Sequence, residues 1–285
     1  MIGLLNQDRL STASLYATRY AVPRSIDFVL KLFNPGKDVV EKRLQALVDE
    51  YSSLYLNLGM RPKWNQIAGH FDAVGVVFND RKLNTLVVDI SPQSNSRGAG
   101  LASQAIQKII DQLSLAANTA NSEQRALPDI QFRYVGAKAS DPGAWIVVES
   151  LAENPGMLNA LASLHLGFTK FGQAFRGDHK ATWLLPKMVS YLKRTTSLVA
   201  LSISDTTLSG QRCARIAAAL AVNSSVENLH LPGCNLTDGD ASKLVILLAT
   251  NDTIRLLDLR GNAIGPAHPI WRDPRVTGGP VTNSN

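Results

Sequence analysis

The residues best suited to chemistry are Asn95–Ala102, NSRGAGLA. They follow an apolar run, Thr85–Ile90, and the pair Ser91-Pro92, and they lead into the amphipathic stretch LASQAIQKIIDQL. Strand, glycine-rich turn and helix in that order present a row of N–H groups without internal partners, and the helix dipole favours an anion beside them. Gly98 and Gly100 carry no Cβ, so a ligand can approach the backbone. The expected chemistry is capture of a pyrophosphate by Asn95, Ser96, Arg97, Gly98, Ala99, Gly100, Leu101 and Ala102. A plain connection between strand and helix is the other reading of such a turn. No Gly-Lys-Ser/Thr follows and no third Gly stands at Rossmann spacing, so neither common phosphate fingerprint fits.

The elements that must position this turn carry a resemblance. The spacing resembles motif A of the GNAT superfamily of acyl-CoA-dependent N-acyltransferases, with Ile90, Pro92, Asn95, Gly98 and Gly100 in register and Asn95 in place of the usual Arg or Gln. A second segment, Ala144–Gly172, reads as a strand, a turn at Asn154-Pro155-Gly156, a helix from about Met157, and Leu166-Gly167-Phe168. That order is similar to motif B. The resemblance covers roughly Ser25 to Lys187. Upstream, Ser25–Phe33 alternates as a strand, Asp38–Leu58 has helical spacing, and Asp72–Asp80 pairs with LNTLVVDI as an antiparallel hairpin across Arg81-Lys82.

The resemblance implies acetyl-CoA as cofactor and acyl transfer to an amine as reaction. A Lys ammonium has a pKa of about 10.4, so the site must take its proton and stabilise an oxyanion. In the family a backbone amide on the motif A strand, here around Val88–Ile90, stabilises the oxyanion, and the strand's free edge at the sheet's splay holds pantetheine. Val88, Ile90 and Asn154 therefore join the expected cofactor-binding residues. The motif B Tyr that reprotonates the thiolate is replaced by Ser163, and the usual motif A Glu falls near Asn84. Glu149 and Ser163 are the catalytic candidates, with Asp89, Asp72 or water as other bases. Each carboxylate also has a plain reading as a solvated residue or helix-dipole partner.

The C-terminal part is different. Residues 196–223 align without gaps with 224–251, and a third unit begins in register at Asp252. Each carries the frame L-x-x-L-x-L-x-x-N/C-x-L: Leu198, Leu201, Ile203, Thr206, Leu208; Val226, Leu229, Leu231, Cys234, Leu236; Ile254, Leu257, Leu259, Asn262, Ile264. The period of 28 and the helical remainder of each unit resemble ribonuclease-inhibitor-like leucine-rich repeats. The expected concave positions include Ala200, Ser202, Ser204, Asn228, His230, Pro232, Leu256, Asp258 and Arg260. Two full units and a stub cannot bury their faces alone, so the array leans on the preceding domain. Its face either docks a protein or caps its neighbour.

Composition bounds the rest. A hydrophobic content of 45% and a charged content of 18% fit a globular fold. No apolar run reaches the roughly 20 residues of a membrane span, and MIGLLNQDRL lacks the pattern of a Sec-type signal. Two Cys and five scattered His make no metal spacing, so no metal is expected. The net charge of +6 is dispersed, which argues against nucleic acid as partner. The expected fold class is α/β: a GNAT-like splayed mixed sheet flanked by helices, with a short α/β leucine-rich-repeat array. The expected domains are an arm at 1–24, an acyltransferase domain at 25–190, repeats at 191–266 and a disordered tail at 267–285. The expected function is an acetyl-CoA-dependent N-acetyltransferase whose repeats dock a protein substrate. The alternatives are a GNAT-like scaffold without catalysis that serves as a protein-binding adaptor, and a small-amine acetyltransferase. The expected location is cytoplasmic, or inside a host cell after secretion by a non-Sec route, since the combination is similar to host-directed bacterial effectors in virulence.

Overall fold

The computed structural model describes residues 83–89, 99–135, 143–167 and 184–279, two earlier strands, and isolated positions at 42, 45, 46, 49, 75 and 78. The chain is α/β, and among the described residues its sheet has nine strands, all parallel, each beside its neighbour in sequence. The strands are β1 Asp27–Val29, β2 Ser53–Asn57, β3 Thr85–Asp89, β4 Asp129–Val135, β5 Ser163–Gly167, β6 Ala200–Ser204, β7 Asn228–His230, β8 Leu256–Asp258 and β9 Val276–Thr277. From β3 to β8 five helices of the described residues alternate with them: α1 Ala99–Ser122, α2 Gly143–Glu153, α3 Leu184–Arg194, α4 Gln211–Ala221 and α5 Asp238–Thr250. Each helix packs on the next in one layer.

Period-two alternation builds the interface between the layers. Leu86, Val88, Ile130, Phe132, Tyr134, Leu164, Leu166, Leu201, Ile203, Leu229 and Leu257 are at most 2% exposed and share one core with the helices. Helix α1 meets them with Ile109, Ile110, Leu113, Ala116, Ala117 and Ala120, spaced by three or four residues. Helix α5 starts where Thr237 N–H donates to Asp240 Oδ2 at 3.1 Å. Asp240 also accepts from Gly210 N–H at 2.8 Å, which ties α5 to the start of α4.

Repeated polar groups close the turns. Asn223 Nδ2 donates to Leu192 O and Thr195 O at 2.8 and 3.2 Å, and its Oδ1 accepts from Ser225 and Val226 N–H. At the other ends of the strands Thr206 Oγ1 donates to Ser204 O, Cys234 Sγ to Ile203 O and Asn262 Nδ2 to Leu231 O. These are the N/C positions of the frame, and each satisfies a carbonyl that the turn leaves over.

Several expectations are corrected. The sheet is parallel throughout its described strands, so it is neither mixed nor splayed. No antiparallel hairpin joins 72–80 to β3: Gly75 and Phe78 are helical, and β3 pairs in parallel with β2 and β4. Apolar side chains at Val76, Val77 and Phe78 fit a short helix as well as a strand, and only tertiary packing decides. Likewise Gly143–Glu153 is a helix, Pro155–Asn159 a single 3₁₀ turn and Ser163–Gly167 a strand, which inverts the order expected for motif B. Helix α3 crosses the expected boundary at 190, and β5 pairs with β6, so one sheet and one core run through both expected domains. The expected disordered tail holds a 3₁₀ turn at Pro269–Arg272 and strand β9, with Ile270 buried.

Candidate functional site

Parallel register places one residue from every strand in a line across the sheet. The line runs Val29, Asn57, Asp89, Arg133, His165, Ser202, His230, Asp258, Thr277. From Asn57 onward every member is polar. The alternation that buries Leu164, Leu201, Leu229 and Leu257 against the helices puts this row on the opposite face. A row of six chemically active side chains, Asp89 to Asp258, is the most concentrated functional potential in the described residues.

The row is tightly held. Asp89, Ser202, His230 and Asp258 are buried, while Arg133 and His165 are half-buried. Arg133 Nε lies 3.8 Å from Asp89 Oδ2, and His230 Nδ1 lies 3.6 Å from Asp258 Oδ2. Arg260, two residues past the row, grips Asp258 in a fork: Nε to Oδ1 at 2.9 Å and a terminal nitrogen to Oδ2 at 2.7 Å. Burial works against the charged form of Asp258, yet hydrogen bonds from His230 and Arg260 overcome it and hold the carboxyl well below the usual range. Burial, reinforced by the charge of Arg133, brings His165 down to about 3, so its imidazole is neutral at physiological pH.

The described members of the expected site stand on separate elements. Ile90, Asn95, Ser96, Arg97 and Gly98 lie outside the described residues, as does Asp72. Ala99, Gly100, Leu101 and Ala102 open helix α1, as a helix following the glycine-rich turn requires. Val88 points into the core with no exposure. The edge of β3 that was expected to hold pantetheine pairs with β4 from Thr85↔Asp129 to Asp89↔Arg133. Asn154 caps a 3₁₀ turn, its Oδ1 accepting from Gly156 N–H at 3.0 Å. Glu149 sits on helix α2, in the layer behind the sheet, where Lys187 Nζ bonds it at 2.5 Å and also binds Glu153. Ser163 lies on β5, two residues before His165 on the same face, in register with Gln131 and Ala200. The fold thus places Glu149 on a helix and Ser163 on the sheet.

Of the row, sequence spacing found Ser202, His230 and Asp258 as concave positions, together with Ala200, Ser204, Asn228 and Leu256. It did not join Arg133 and His165 to them. The signal was present: Leu161-x-x-Leu164-x-Leu166 repeats the frame, as do Leu127-x-x-Ile130-x-Phe132 and Leu83-x-x-Leu86-x-Val88.

No protein-family profile and no curated protein matches this chain. One solved structure, of a protein from Bacteroides fragilis, covers 98% of this chain and 83% of its own at 11% identity and a TM-score of 0.48. No helix among the described residues is long and apolar enough to cross a membrane.

Proposed function

We propose that this chain is a protein-docking module of leucine-rich-repeat type, and that the row Asp89–Asp258 lies at the centre of its binding face. The observation that carries this reading is the sheet itself. Strands in chain order, joined by one layer of helices, form an open-ended array, and such arrays bind through the extended face that the helices leave uncovered. The half-buried Arg133 and His165 of that row, with Asn228 and the exposed Arg260 beside it, offer directional contacts along an extended face, which suits a protein surface. Acyl transfer is the weaker reading, because the resemblance needs an open strand edge at β3, which is paired with β4, and Glu149 and Ser163 stand on different layers.

A photo-crosslinking residue at Asn228, half-buried on the sheet face, tests the reading against one at Ile246, which is 65% exposed on helix α5. A discrete adduct from Asn228 that Ser204→Trp abolishes supports docking on the sheet. Adducts from Ile246 alone would move the interface to the helical side and defeat the proposal.

A further inference from the structure

We infer that the partner presented to this face is an acidic, extended segment that crosses the strands and sets two carboxylates against Arg133 and Arg260. The inference rests on the docking reading and names the chemistry of the occupant.

The charges of the face are arranged by depth. The carboxylates of Asp89 and Asp258 lie low, with side chains 9% and 3% exposed. The guanidinium-bearing side chains above them keep 29% exposure at Arg133 and 48% at Arg260. A partner therefore meets cations first, with the compensating anions beneath. Between the two arginines lie Ser202 and Ser204 on β6, Gly167 on β5, the neutral imidazole of His165, and His230 on β7 beside Asp258. An exposed carboxylate, Asp205, stands in the turn beyond β6, at a backbone φ of 51°. It directly follows Ser204, and its carboxylate lies beside Gly233, whose N–H donates to Arg260 O. Glu227, before β7, is paired with Arg255 at 3.6 Å at the other rim.

Register fixes the separation. Arg133 lies on β4, and Arg260 just past β8, four strand steps away. At about 4.8 Å per step that is roughly 19 Å. An extended chain advances about 3.3 Å per residue, so carboxylates about six residues apart span both arginines. Asp258 already takes Arg260 Nε and one terminal nitrogen, so a partner carboxylate meets the outer N–H groups that remain there, in a charge-assisted contact. The net charge of +6 adds long-range attraction for an acidic chain.

Fluorescence anisotropy with labelled peptides and the full chain tests the proposal. One peptide has Glu at positions 1 and 7, a second has Glu at 1 and 4, a third has Lys at 1 and 7, and a fourth has Gln at 1 and 7. The 1,7-Glu peptide should bind at least about tenfold tighter than the others. Arg133→Gln and Arg260→Gln should each remove most of that difference, and raising salt from 50 to 200 mM should weaken it. Equal binding of the Gln peptide, or tighter binding of the Lys peptide, overturns the proposal, as does no binding by any of the four. The peptide comparison uses the unaltered chain, so it decides the matter even where Arg260→Gln does not fold. Crosslinking from Asn228 judges the docking reading separately: a partner captured there that competes with the Lys or Gln peptide keeps docking and removes acidity.

Discussion

Arg275 does for the last helix what Asn251 does for the one before it. Asn251 Nδ2 donates to Leu220 O and Asn223 O at 2.7 and 2.9 Å. The guanidinium of Arg275 donates to Leu248 O and Asn251 O at 2.9 and 3.4 Å, carbonyls that stand 28 residues further along the chain. A longer side chain thus reaches back to the same two acceptors when the repeat no longer supplies an Asn, and Asp273 holds it in place at 2.7 Å.

That relationship predicts unequal costs. Asn251→Ala removes two donated bonds and two accepted from Thr253 and Ile254, all at a buried position. The expected loss is about 2–4 kcal/mol by urea denaturation. Arg275→Ala at the more exposed end should cost about 1–2 kcal/mol. Equal costs would show that the two clasps are not graded by burial.

Acid should weaken the fold in two stages. His165 binds a proton in the unfolded chain below its ordinary pKa of about 6.5, but in the fold only near 3, so stability falls as pH drops between those values. The slope from this residue is at most about 1.4 kcal/mol per pH unit. Asp258 is depressed in the fold, so its contribution is present above the unfolded value of about 3.9 and is lost below it. His165→Gln should flatten the thermal midpoint between pH 6.5 and 4.5, while Asp258→Asn should act on the more acidic limb. An unchanged profile in His165→Gln would contradict the first stage.

The glycine-rich turn should not make this chain an acetyl-CoA protein. Calorimetric titration of acetyl-CoA into the full chain is expected to give no saturable heat, because the β3 edge that would hold pantetheine is paired along its length. Glu149→Gln breaks a half-exposed contact with Lys187 and should change stability by no more than about 1 kcal/mol. Saturable binding that Gly98→Asp abolishes would restore the acyl-CoA reading.

Both thiols should be inert. Burial pushes Cys213 and Cys234 up to about 12, so the thiolate is scarce at neutral pH. An aromatic disulfide reagent is expected to titrate neither Cys until denaturant is added. Fast reaction of either thiol in the native chain would show that the turn around it opens.

Among the described glycines of positive φ, Gly278 is the one whose missing Cβ would come nearest another residue's backbone. Its φ is +87°, and an added Cβ would stand 2.6 Å from Arg260 N. Gly278→Ala should therefore cost about 1–3 kcal/mol and disturb the Arg260–Asp258 fork. Loss of 1,7-Glu peptide binding in this variant without global unfolding is the measurable consequence.

The sequence made the C-terminal strands legible because they recur at a fixed interval: Ala200 pairs with Asn228 and Asn228 with Leu256, each 28 residues on. The earlier strands were hidden by uneven steps. Thr85 pairs with Asp129, 44 residues later, and Ser163 with Ala200, 37 later. Self-alignment at one period cannot find them. The register also slides by two residues, since Ile130 lies beside Leu86 while Phe132, not Ile130, lies beside Leu164. Gly143–Glu153 misled for another reason. A run such as AWIVVESLA has the apolar content of a buried strand and the spacing of a helix, and only the neighbours that bury Val147, Val148 and Leu151 choose between them. The candidate row was half visible for the same reasons: Ser202, His230 and Asp258 come from the regular units, Arg133 and His165 from the irregular ones.

The order of strands has a consequence for inheritance. Each residue of the row is supplied by one strand, and the variable loops and helices between strands leave its place in the line untouched. The line therefore behaves like a word spelled one letter per unit. Excising residues 200–227 would drop the letter Ser202 and set His230 beside His165, leaving every other letter in sequence. Copying that unit would widen the gap between Arg133 and Arg260 by one letter. A lineage can thus change the length of partner it reads in whole steps, without rewriting the residues that do the reading.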